Sequence, residues 1–410
     1  MDSAPHEGAQ VSPPEPVRRV MAVLRERGHG AWLVGGCVRD SLLGREVHDW
    51  DLATSAKPKQ VSRLFPRVIP TGIDHGTVTV LQDDEPIEVT TLRGEGAYTD
   101  GRRPDEVFFV SDIEEDLARR DFTVNGMAVD GRGAMVDPFG GLEDLASRTI
   151  RAVGDPLERF TEDGLRVLRG ARFVATLECE LDAKTEAAFG PTLPIFRKVS
   201  PERVRDEWLK TMKAQRPSRA FAVMKRTGLL AACCEPLDGL DDQDWRASLS
   251  ALDRCELSGA ERLGALFHRV PVAAVDDWLK AYRFSNAERK VLVGTVTAAD
   301  APLNGSDEAL RRWLAPVRPM LDAALGVVRA VHEDDGEAFG RRVRAMNPSA
   351  LTLNVGDLEV RGEDVKAAGA QGRAIGEVLR TLLDEVLTDP TRGSRTTLLA
   401  RIQELMEDRA

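Results

Sequence analysis

The chain has 410 residues, of which 42% are hydrophobic and 30% charged, and its formal net charge is −11. This length exceeds one ordinary hydrophobic core, so we expect two to four domains in a soluble globular protein. The sequence has no run of about 18 apolar residues, which argues against a membrane-spanning helix. Its five cysteines include no C-x-x-C pair, which argues against a disulfide framework or a zinc site and favours a reducing cytoplasm.

The first predicted elements follow a polar N-terminal segment. Residues 1–16 are rich in Pro, Glu and Ser and lack an apolar stretch, so they are predicted to be a disordered tail and not a signal peptide. Trp32, Leu33 and Val34 then predict a short buried strand, and two glycines follow it. Arg39 comes at the predicted start of a helix, where backbone N–H groups and a guanidinium can bind a phosphate together.

Two aspartates follow about a dozen residues later. Asp49 and Asp51 are spaced so that, on a strand, both carboxylates would lie on one face. Two carboxylates so placed repel each other unless a hard divalent cation lies between them, and Mg²⁺ held by carboxylates and substrate phosphates is the usual solution. The pattern therefore indicates phosphoryl or nucleotidyl transfer.

The rest of the chain divides into a mixed region and a helical region. β-branched runs at 76–81 and 86–92 predict a hairpin, and a helix is expected from Asp112 to Ala118 with Ser111 or Asp112 as its N-cap. From about residue 156 nearly every pattern is helical. We therefore predict an α+β N-terminal head with a small mixed sheet, followed by all-α regions.

A single helix is predicted within residues 156–173, beginning at Pro156 or Thr161, and it carries an unusual combination of residues. Glu162, Asp163, Arg166 and Arg169 fall on one face, while Leu165, Leu168 and Phe173 are expected to pack inward. Gly164 and Gly170 each cost about 1 kcal/mol in a helix interior relative to Ala. Close approach of a ligand or of a neighbouring helix would explain both glycines.

These segments together resemble the class II tRNA nucleotidyltransferase and poly(A) polymerase superfamily, and most closely its bacterial CCA-adding enzymes. The matching segments span nearly the whole chain: Gly35–Asp40, Asp49-x-Asp51, Thr71–Thr77, Glu88–Arg93, Tyr98–Pro104, Arg119–Asn125, Glu162–Arg166, Pro201–Glu207, Arg283–Arg289 and Ile375–Leu379. The resemblance implies template-independent addition of CCA to the 3′ end of tRNA, from CTP and ATP, with release of pyrophosphate.

The resemblance also implies a role for each matching residue. Asp49 and Asp51 would hold Mg²⁺ ions and carry the catalysis. The implied nucleotide-binding residues are Gly36 and Arg39 at the triphosphate, Arg120 and Asp121 at the ribose, Asp163 and Arg166 as an amino-acid template for the base, and Arg169 and Arg172 towards the phosphates. The loop from Glu95 to Pro104 would be a hinge that helps to switch specificity from C to A.

The family architecture implies four regions after the tail at 1–16. They are a catalytic head at 17–150, a neck at 151–215 that binds the nucleotide base and RNA, a helical body at 216–300, and a helical tail at 301–410 that binds tRNA. The implied partner is the 3′ acceptor end and elbow of tRNA. Residues 151–220 fit such a partner, because they carry 14 Lys/Arg against 11 Asp/Glu inside an acidic protein.

Four alternatives remain open at this point. An A-adding enzyme and a poly(A) polymerase share the same head. A CC-adding enzyme would have a shorter loop before Arg119, and a poly(A) polymerase tends to end in a basic extension, neither of which the sequence shows. A catalytically inactive RNA-binding protein is the remaining alternative, against which the retention of Asp49 and Asp51 counts. The sequence leaves the oligomeric state unknown.

Overall fold

The computed structural model describes residues 11–95, 107–256, 259 and 262–408. The chain forms two compact units, an N-terminal unit (residues 1–238) and a C-terminal unit (residues 239–410). The N-terminal unit contains all the strands that the structure describes, and the C-terminal unit is helical, so the predicted fold class is confirmed. The finer division into neck, body and tail at residues 215 and 300 stays a prediction.

The first part of the N-terminal unit is built on one mixed sheet. Its helices and strands up to residue 150 are α1 (Glu15–Glu26), β1 (Ala31–Val34), α2 (Gly36–Leu42), β2 (Asp51–Thr54), α3 (Pro58–Leu64), β3 (Val68–Gly72), β4 (Thr77–Gln82), β5 (Glu85–Thr91), β6 (Arg93–Glu95), β7 (Val107–Phe109), α4 (Ile113–Ala118), β8 (Ala128–Asp130), β9 (Met135–Val136), α5 (Gly141–Ala146) and β10 (Thr149–Ile150). Among the described residues, seven strands form the sheet in the order β3-β4-β5-β2-β1-β8-β9. Within this sheet, as far as the structure describes it, β2 and β5 are the one parallel pair, and their pairing sets Asp51 opposite Glu88.

The predicted hairpin and the predicted N-cap are both confirmed. Strands β4 and β5 join through Asp83 and Asp84, whose φ angles of 57° and 64° are those of a tight turn that matches the sheet twist. Helix α4 begins after Asp112, whose side chain accepts a hydrogen bond from the Glu114 backbone N–H.

The second part of the N-terminal unit is helical except for one short strand. Its elements are α6 (Pro156–Glu162), α7 (Leu165–Thr176), β11 (Glu180–Leu181), α8 (Ala183–Ala187), α9 (Phe189–Phe196), α10 (Pro201–Thr211), α11 (Ser218–Arg226), α12 (Leu229–Cys233) and α13 (Glu235–Asp238). A buried cluster of phenylalanine rings with centroids 5.4–6.2 Å apart joins the 3₁₀ turn Thr123–Asn125 to these helices; its members are Phe122, Phe160, Phe173 and Phe189. This packing fixes α7 against the head, where the functional residues meet.

The single helix predicted over 156–173 is two helices in the structure, so that prediction is wrong in this detail. The chain leaves the helical conformation at Asp163 and re-enters it after Gly164. A Cβ on Gly164 would lie 2.6 Å from the backbone of Phe196, and one on Gly170 would lie 2.9 Å from the Phe189 ring. Both glycines are therefore explained by close approach of α9, as the sequence suggested.

The C-terminal unit holds the remaining helices of the described chain. They are α14 (Asp242–Arg254), α15 (Arg262–Leu266), α16 (Val272–Ala281), α17 (Asn286–Ala298), α18 (Asp307–Val317), α19 (Leu321–Ala345), α20 (Gly362–Ala367), α21 (Arg373–Thr388) and α22 (Arg395–Glu407). One apolar core centres on Trp313, Leu314 and Val328, and another on Val378, Leu382 and Ile402. Within the described ranges, no helix has both the length and the apolarity needed to cross a membrane.

Candidate active site

A polar cavity of about 500 Å³ in the N-terminal unit gathers nearly all the predicted site residues. The predicted residues that line it are Gly36, Arg39, Asp51, Arg120, Asp121, Asp163, Arg166, Arg169 and Arg172. Asp49 is exposed in the loop just before β2, so it does not share the strand with Asp51 as expected. It still lies close enough to Asp51 for the two charges to interact.

The carboxylates at one end of the cavity repel one another. Asp51 begins β2 next to Glu88 of β5. Burial raises the pKa of the Asp51 carboxyl to about 6, and repulsion from Glu88 adds to this rise. The Arg120 guanidinium opposes the shift, and Asp49 adds a smaller contribution in the same direction as Glu88. Negative charge is therefore concentrated here with too little compensation, which fits the binding of a hard divalent cation.

Gly35 brings the backbone close to Arg120. Its φ of 72° lies in the left-handed region, and a Cβ at this position would lie 2.7 Å from Arg120 Nη1. The side chain of Arg120 also donates to Asp116 Oδ2 at 3.3 Å, and its buried Nε has no hydrogen-bond partner among the residues that the structure describes. A glycine is thus required where the β1–α2 turn passes the guanidinium.

A chain of hydrogen bonds links α2 to α7 along one wall. Arg39 Nη1 donates to Asn125 Oδ1 at 2.6 Å, and Asn125 Nδ2 donates to Asp121 Oδ1 at 3.0 Å. Arg169 Nε then donates to Asp121 Oδ2 at 2.7 Å. Burial alone would raise the pKa of Asp121, but Arg169 and Asn125 outweigh it and hold that pKa below its ordinary value. Asp121 is therefore ionised and fixed in place.

The next residues along the wall belong to α7 and α10. Arg172 Nε donates to Glu207 Oε2 at 2.6 Å, and Lys210 Nζ donates to Glu207 Oε1 at 3.0 Å. Glu207 is 2% exposed, and although burial would raise its pKa, Arg172 and the other nearby cations hold that pKa below its usual value. The buried carboxylate of Glu207 thus holds the Arg172 guanidinium at the cavity wall.

The break between α6 and α7 orients the two residues predicted to contact the nucleotide base. Both oxygens of Asp163 accept from Arg203, at 3.2 and 2.6 Å, and Oδ1 also accepts from the Leu165 backbone N–H. Because the chain is not helical at Asp163, this carboxylate faces the cavity and not the helix surface. The break between α6 and α7, which the sequence pattern did not predict, therefore places the Asp163 carboxylate in the cavity.

Arg166 is held from two directions. Its Nη1 donates to Glu162 Oε2 at 2.5 Å, four residues earlier in the chain. Its Nη2 donates to the backbone carbonyl of Arg119 at 3.0 Å, which joins α7 to the residue that follows α4. Arg166 is only 8% exposed, whereas an arginine in a surface ion pair on a helix would be largely solvated.

Several lining residues were missed as site residues in the sequence. Glu88, Arg119 and Arg203 lay inside matched segments without being assigned to the site, and Phe173 was assigned only to the core. Alternation along 86–92 could have indicated which face of the strand carries Glu88. The approach of Arg203 to Asp163, 40 residues apart, has no local signal in the sequence.

The chain was then compared with known proteins. The family model described as "Poly A polymerase head domain" matches residues 31–151, and the one described as "Probable RNA and SrmB- binding site of polymerase A" matches residues 180–237. The CCA-adding enzyme of Levilactobacillus brevis is 35% identical over 95% of this chain and 98% of that protein. The CCA-adding enzyme of Limosilactobacillus fermentum is 34% identical over 96% and 97%.

The chain belongs to the CCA-adding enzymes. It is a CCA tRNA nucleotidyltransferase, as its motifs predicted, and the A-adding and poly(A) polymerase alternatives are not favoured. The crystal structure of the Bacillus stearothermophilus CCA-adding enzyme in complex with CTP is 31% identical, with a TM-score of 0.81 over 97% of this chain and 99% of that one. Membership of this family implies dependence on a divalent metal ion.

Proposed function

We propose that the chain adds C, C and A in turn to the 3′ end of tRNA in the cytoplasm, with CTP and ATP as substrates and pyrophosphate as product. The observation that carries this proposal is one cavity in which carboxylates, arginines and an oriented Asp163–Arg166 pair meet. These are the groups needed to bind a metal, a triphosphate and a base. No nucleic-acid template is required if side chains read the base.

Asp49 and Asp51 are the residues that would hold Mg²⁺. Within the described part of the chain, no three acidic, His or Cys side chains converge to enclose an ion by themselves. Mg²⁺ commonly completes its coordination with substrate phosphates and water, so this donor set suits it. The chemistry that the metal supplies when bound is activation of the 3′-hydroxyl of tRNA and neutralisation of charge on the departing pyrophosphate.

The side chains of the cavity wall would bind and orient the nucleotide. Arg39, Arg169 and Arg172 present guanidinium groups suited to the triphosphate, beside the backbone of Gly36. Arg120 would contact the ribose directly. Asp121, which Asn125 and Arg169 hold in place, would accept a hydrogen bond from the ribose beside Arg120, because a carboxylate oxygen can accept more than one hydrogen bond.

Asp163 and Arg166 would select the base by hydrogen bonding. A carboxylate accepts from the exocyclic amine that cytosine and adenine share, and a guanidinium donates to ring nitrogens and carbonyls. Uracil and guanine present a carbonyl where that amine would be, and two acceptors would then face each other. The predicted hinge from Glu95 to Pro104 falls almost entirely outside the described residues, so its role in the switch from C to A stays a prediction.

Product length gives the direct test of this function. The protein is supplied with tRNA that ends at the discriminator base, or in C or CC after it, together with CTP, ATP or both. We expect CTP alone to extend each tRNA only as far as CC, ATP alone to extend only the tRNA ending in CC, and the mixture to stop after CCA. Addition of A alone, or of long A tracts, would contradict the proposal.

We propose that tRNA binds through its acceptor end and elbow, by phosphate contacts and by shape. Arg197, Lys198 and Lys213 are exposed in the region that the RNA-binding family model matches. Recognition should therefore weaken as salt rises and should prefer folded tRNA. Competition between intact tRNA, unfolded tRNA and poly(A) tests this, and equal affinity for all three would favour a poly(A) polymerase instead.

A further inference from the structure

Three guanidinium groups converge on the ring of Phe173. The Cζ atoms of Arg39, Arg169 and Arg172 lie 5.3, 5.4 and 4.0 Å from the ring centroid. These distances are within the range at which a cation is attracted by the π electrons of an aromatic ring. The ring is only 3% exposed, yet it forms part of the cavity wall.

Helix geometry explains only one of these three contacts with Phe173. Arg169 precedes Phe173 by four positions, so the two side chains are expected to meet on α7. Arg172 is the adjacent residue, and adjacent helical residues do not face each other. Its guanidinium nevertheless makes the shortest of the three contacts, and Glu207 holds it there through Nε. Arg39 arrives from a different element, α2.

Bringing these cations together has an electrostatic cost. Burial lowers the pKa of Arg172 from its ordinary value, and repulsion from Arg169 adds to this shift against the opposing attraction of Glu207. An apolar side chain such as leucine would fill the same space but would have no electrostatic attraction for the cations. The negative face of an aromatic ring stabilises them, and the perpendicular ring of Phe122, with its centroid 5.7 Å away, fixes the orientation of that face.

We propose that Phe173 is a positioning residue that holds three arginines in register for the triphosphate of the incoming nucleotide. The acidic partners of these arginines occupy only part of the five N–H groups of each guanidinium. The ring orients the rest towards the cavity without neutralising them, as a further carboxylate would. This inference rests on the proposed function, and it adds to it a residue that contacts neither base nor metal.

The sharpest variant keeps the shape of the ring and changes its charge distribution. Pentafluorophenylalanine at position 173 places a positive face towards the guanidiniums. The matched control is the same replacement at Phe160, which belongs to the same aromatic cluster, is fully buried, and has no cation recorded over its ring in the described chain. Phe173→Leu serves as a genetically encoded second variant.

Two readouts separate positioning from a general packing effect. In nucleotide addition, we expect the replacement at position 173 to raise KM for CTP and ATP alike by about tenfold, with kcat within about twofold and the ranking of the four nucleotides unchanged. In calorimetry without tRNA, we expect the same change to weaken binding of inorganic triphosphate by a similar factor. The replacement at position 160 should leave both values within about twofold of those of the unmodified protein.

Each outcome supports or overturns the proposal. Unchanged triphosphate binding in the variant at 173, equal losses at 173 and 160, or a loss confined to one nucleotide would each overturn it. The calorimetric arm does not depend on turnover. If the unmodified protein bound triphosphate through Phe173-dependent contacts but added no CCA, the proposed function would fail and this inference would stand.

Discussion

Buried charge is distributed unequally between the two units of this chain. In the described residues of the N-terminal unit, the charged side chains below one-tenth exposure are Asp116, Asp121, Asp144, Arg166 and Glu207. In those of the C-terminal unit, only Arg262 is so buried. The C-terminal unit instead has apolar clusters, among them those around Trp313 and Val378, and most of its described ion pairs lie on the surface.

The difference indicates where the molecule places its chemistry. Removing a charge from water costs several kcal/mol unless a well-placed partner compensates it, and even then an apolar replacement is often as stable. In the N-terminal unit, Asp116, Asp121 and Arg166 line the cavity and Glu207 pairs with Arg172 of its wall, and such a polar, preorganised wall can bind a charged substrate. The C-terminal unit has no comparable cluster among the residues described, so its ion pairs should matter much less.

The largest effect is expected at the carboxylates of the cavity. Asp51→Asn or Asp49→Ala should reduce nucleotide addition by a thousandfold or more, because each removes a proposed metal ligand without opening a core cavity. Since burial, Glu88 and Asp49 all disfavour the charge of Asp51, Asp51→Asn should not lower the melting temperature in metal-free buffer. Primer extension and thermal unfolding measure the two properties.

Asp84→Ala is the matched control for this prediction. Asp84 is an exposed aspartate in the β4–β5 turn of the same sheet, and it pairs with Arg67 at the surface. It should retain full activity. Retention of more than about a tenth of the activity by either cavity variant would contradict the metal assignment.

The next effect concerns nucleotide choice. Asp163→Ala and Arg166→Ala should relax the preference for CTP and ATP over UTP and GTP by about 10- to 100-fold, because a bidentate contact typically discriminates by about 1–3 kcal/mol. Arg203→Met should weaken the preference less, since it only frees the Asp163 carboxylate to rotate. The measurement is kcat/KM for all four nucleotides on tRNA ending in CC.

Arg205→Met is the control for Arg203, because Arg205 lies on the same helix and pairs with Asp206 outside the cavity. It should leave the ranking intact. A uniform loss for all four nucleotides in the Asp163 and Arg166 variants would assign these residues to general structure instead of base reading.

A smaller effect, on stability, is expected at Glu207. Glu207→Gln keeps the shape but leaves Arg172 without its buried counter-charge, which should lower the free energy of unfolding by about 3 kcal/mol, while Arg169 keeps its ion pair with Asp121. The Glu207 pKa is depressed in the folded chain, so its stabilisation is fully present above about pH 5 and is lost as the pH falls through the folded pKa. Urea unfolding of the full chain at pH 7 and pH 4 measures both.

Glu207→Gln also serves as the control for the pH dependence of stability, because glutamine does not titrate. If Glu207 supplies part of the acid sensitivity, the difference in unfolding free energy between the original chain and Glu207→Gln should shrink at pH 4. A difference that stays constant between the two pH values would mean that Glu207 does not titrate in this range, and its ion pairs would not be the cause.

Local patterns in the sequence predicted those elements that local forces determine. The strand before Gly35, the β4–β5 hairpin and the Asp112 cap each follow from a few neighbouring residues. The break at Asp163 did not, because Leu165 and Leu168 continue a helical pattern and only the approach of Phe196 shows where the chain must turn.

The site was predictable only in part, for the same reason. Motif resemblance identified nine of the residues that line the cavity, but not Glu88, Arg119 or Arg203, and not the contacts between the residues. The pairing of Asp51 with Glu88 depends on a long-range parallel register, and the approach of Arg39 to Phe173 depends on packing between head and neck helices. Such contacts arise from tertiary structure and have no signature in a single sequence.

The smallest effect should appear in the C-terminal unit, where the comparison predicts little coupling between charges. Arg312 and Asp384 form an ion pair with a distance of 2.5 Å, but their side chains are 40% and 65% exposed. Water and salt screen such a pair, so a double-mutant cycle with alanine at both positions should give a coupling energy below about 1 kcal/mol. A coupling energy of about 3 kcal/mol or more would be as large as the loss of unfolding free energy expected for Glu207→Gln. Buried and exposed ion pairs would then not differ in energy between the two units. Measurement at low and high salt would then show whether the coupling is electrostatic, because a screened surface pair must weaken as ionic strength rises.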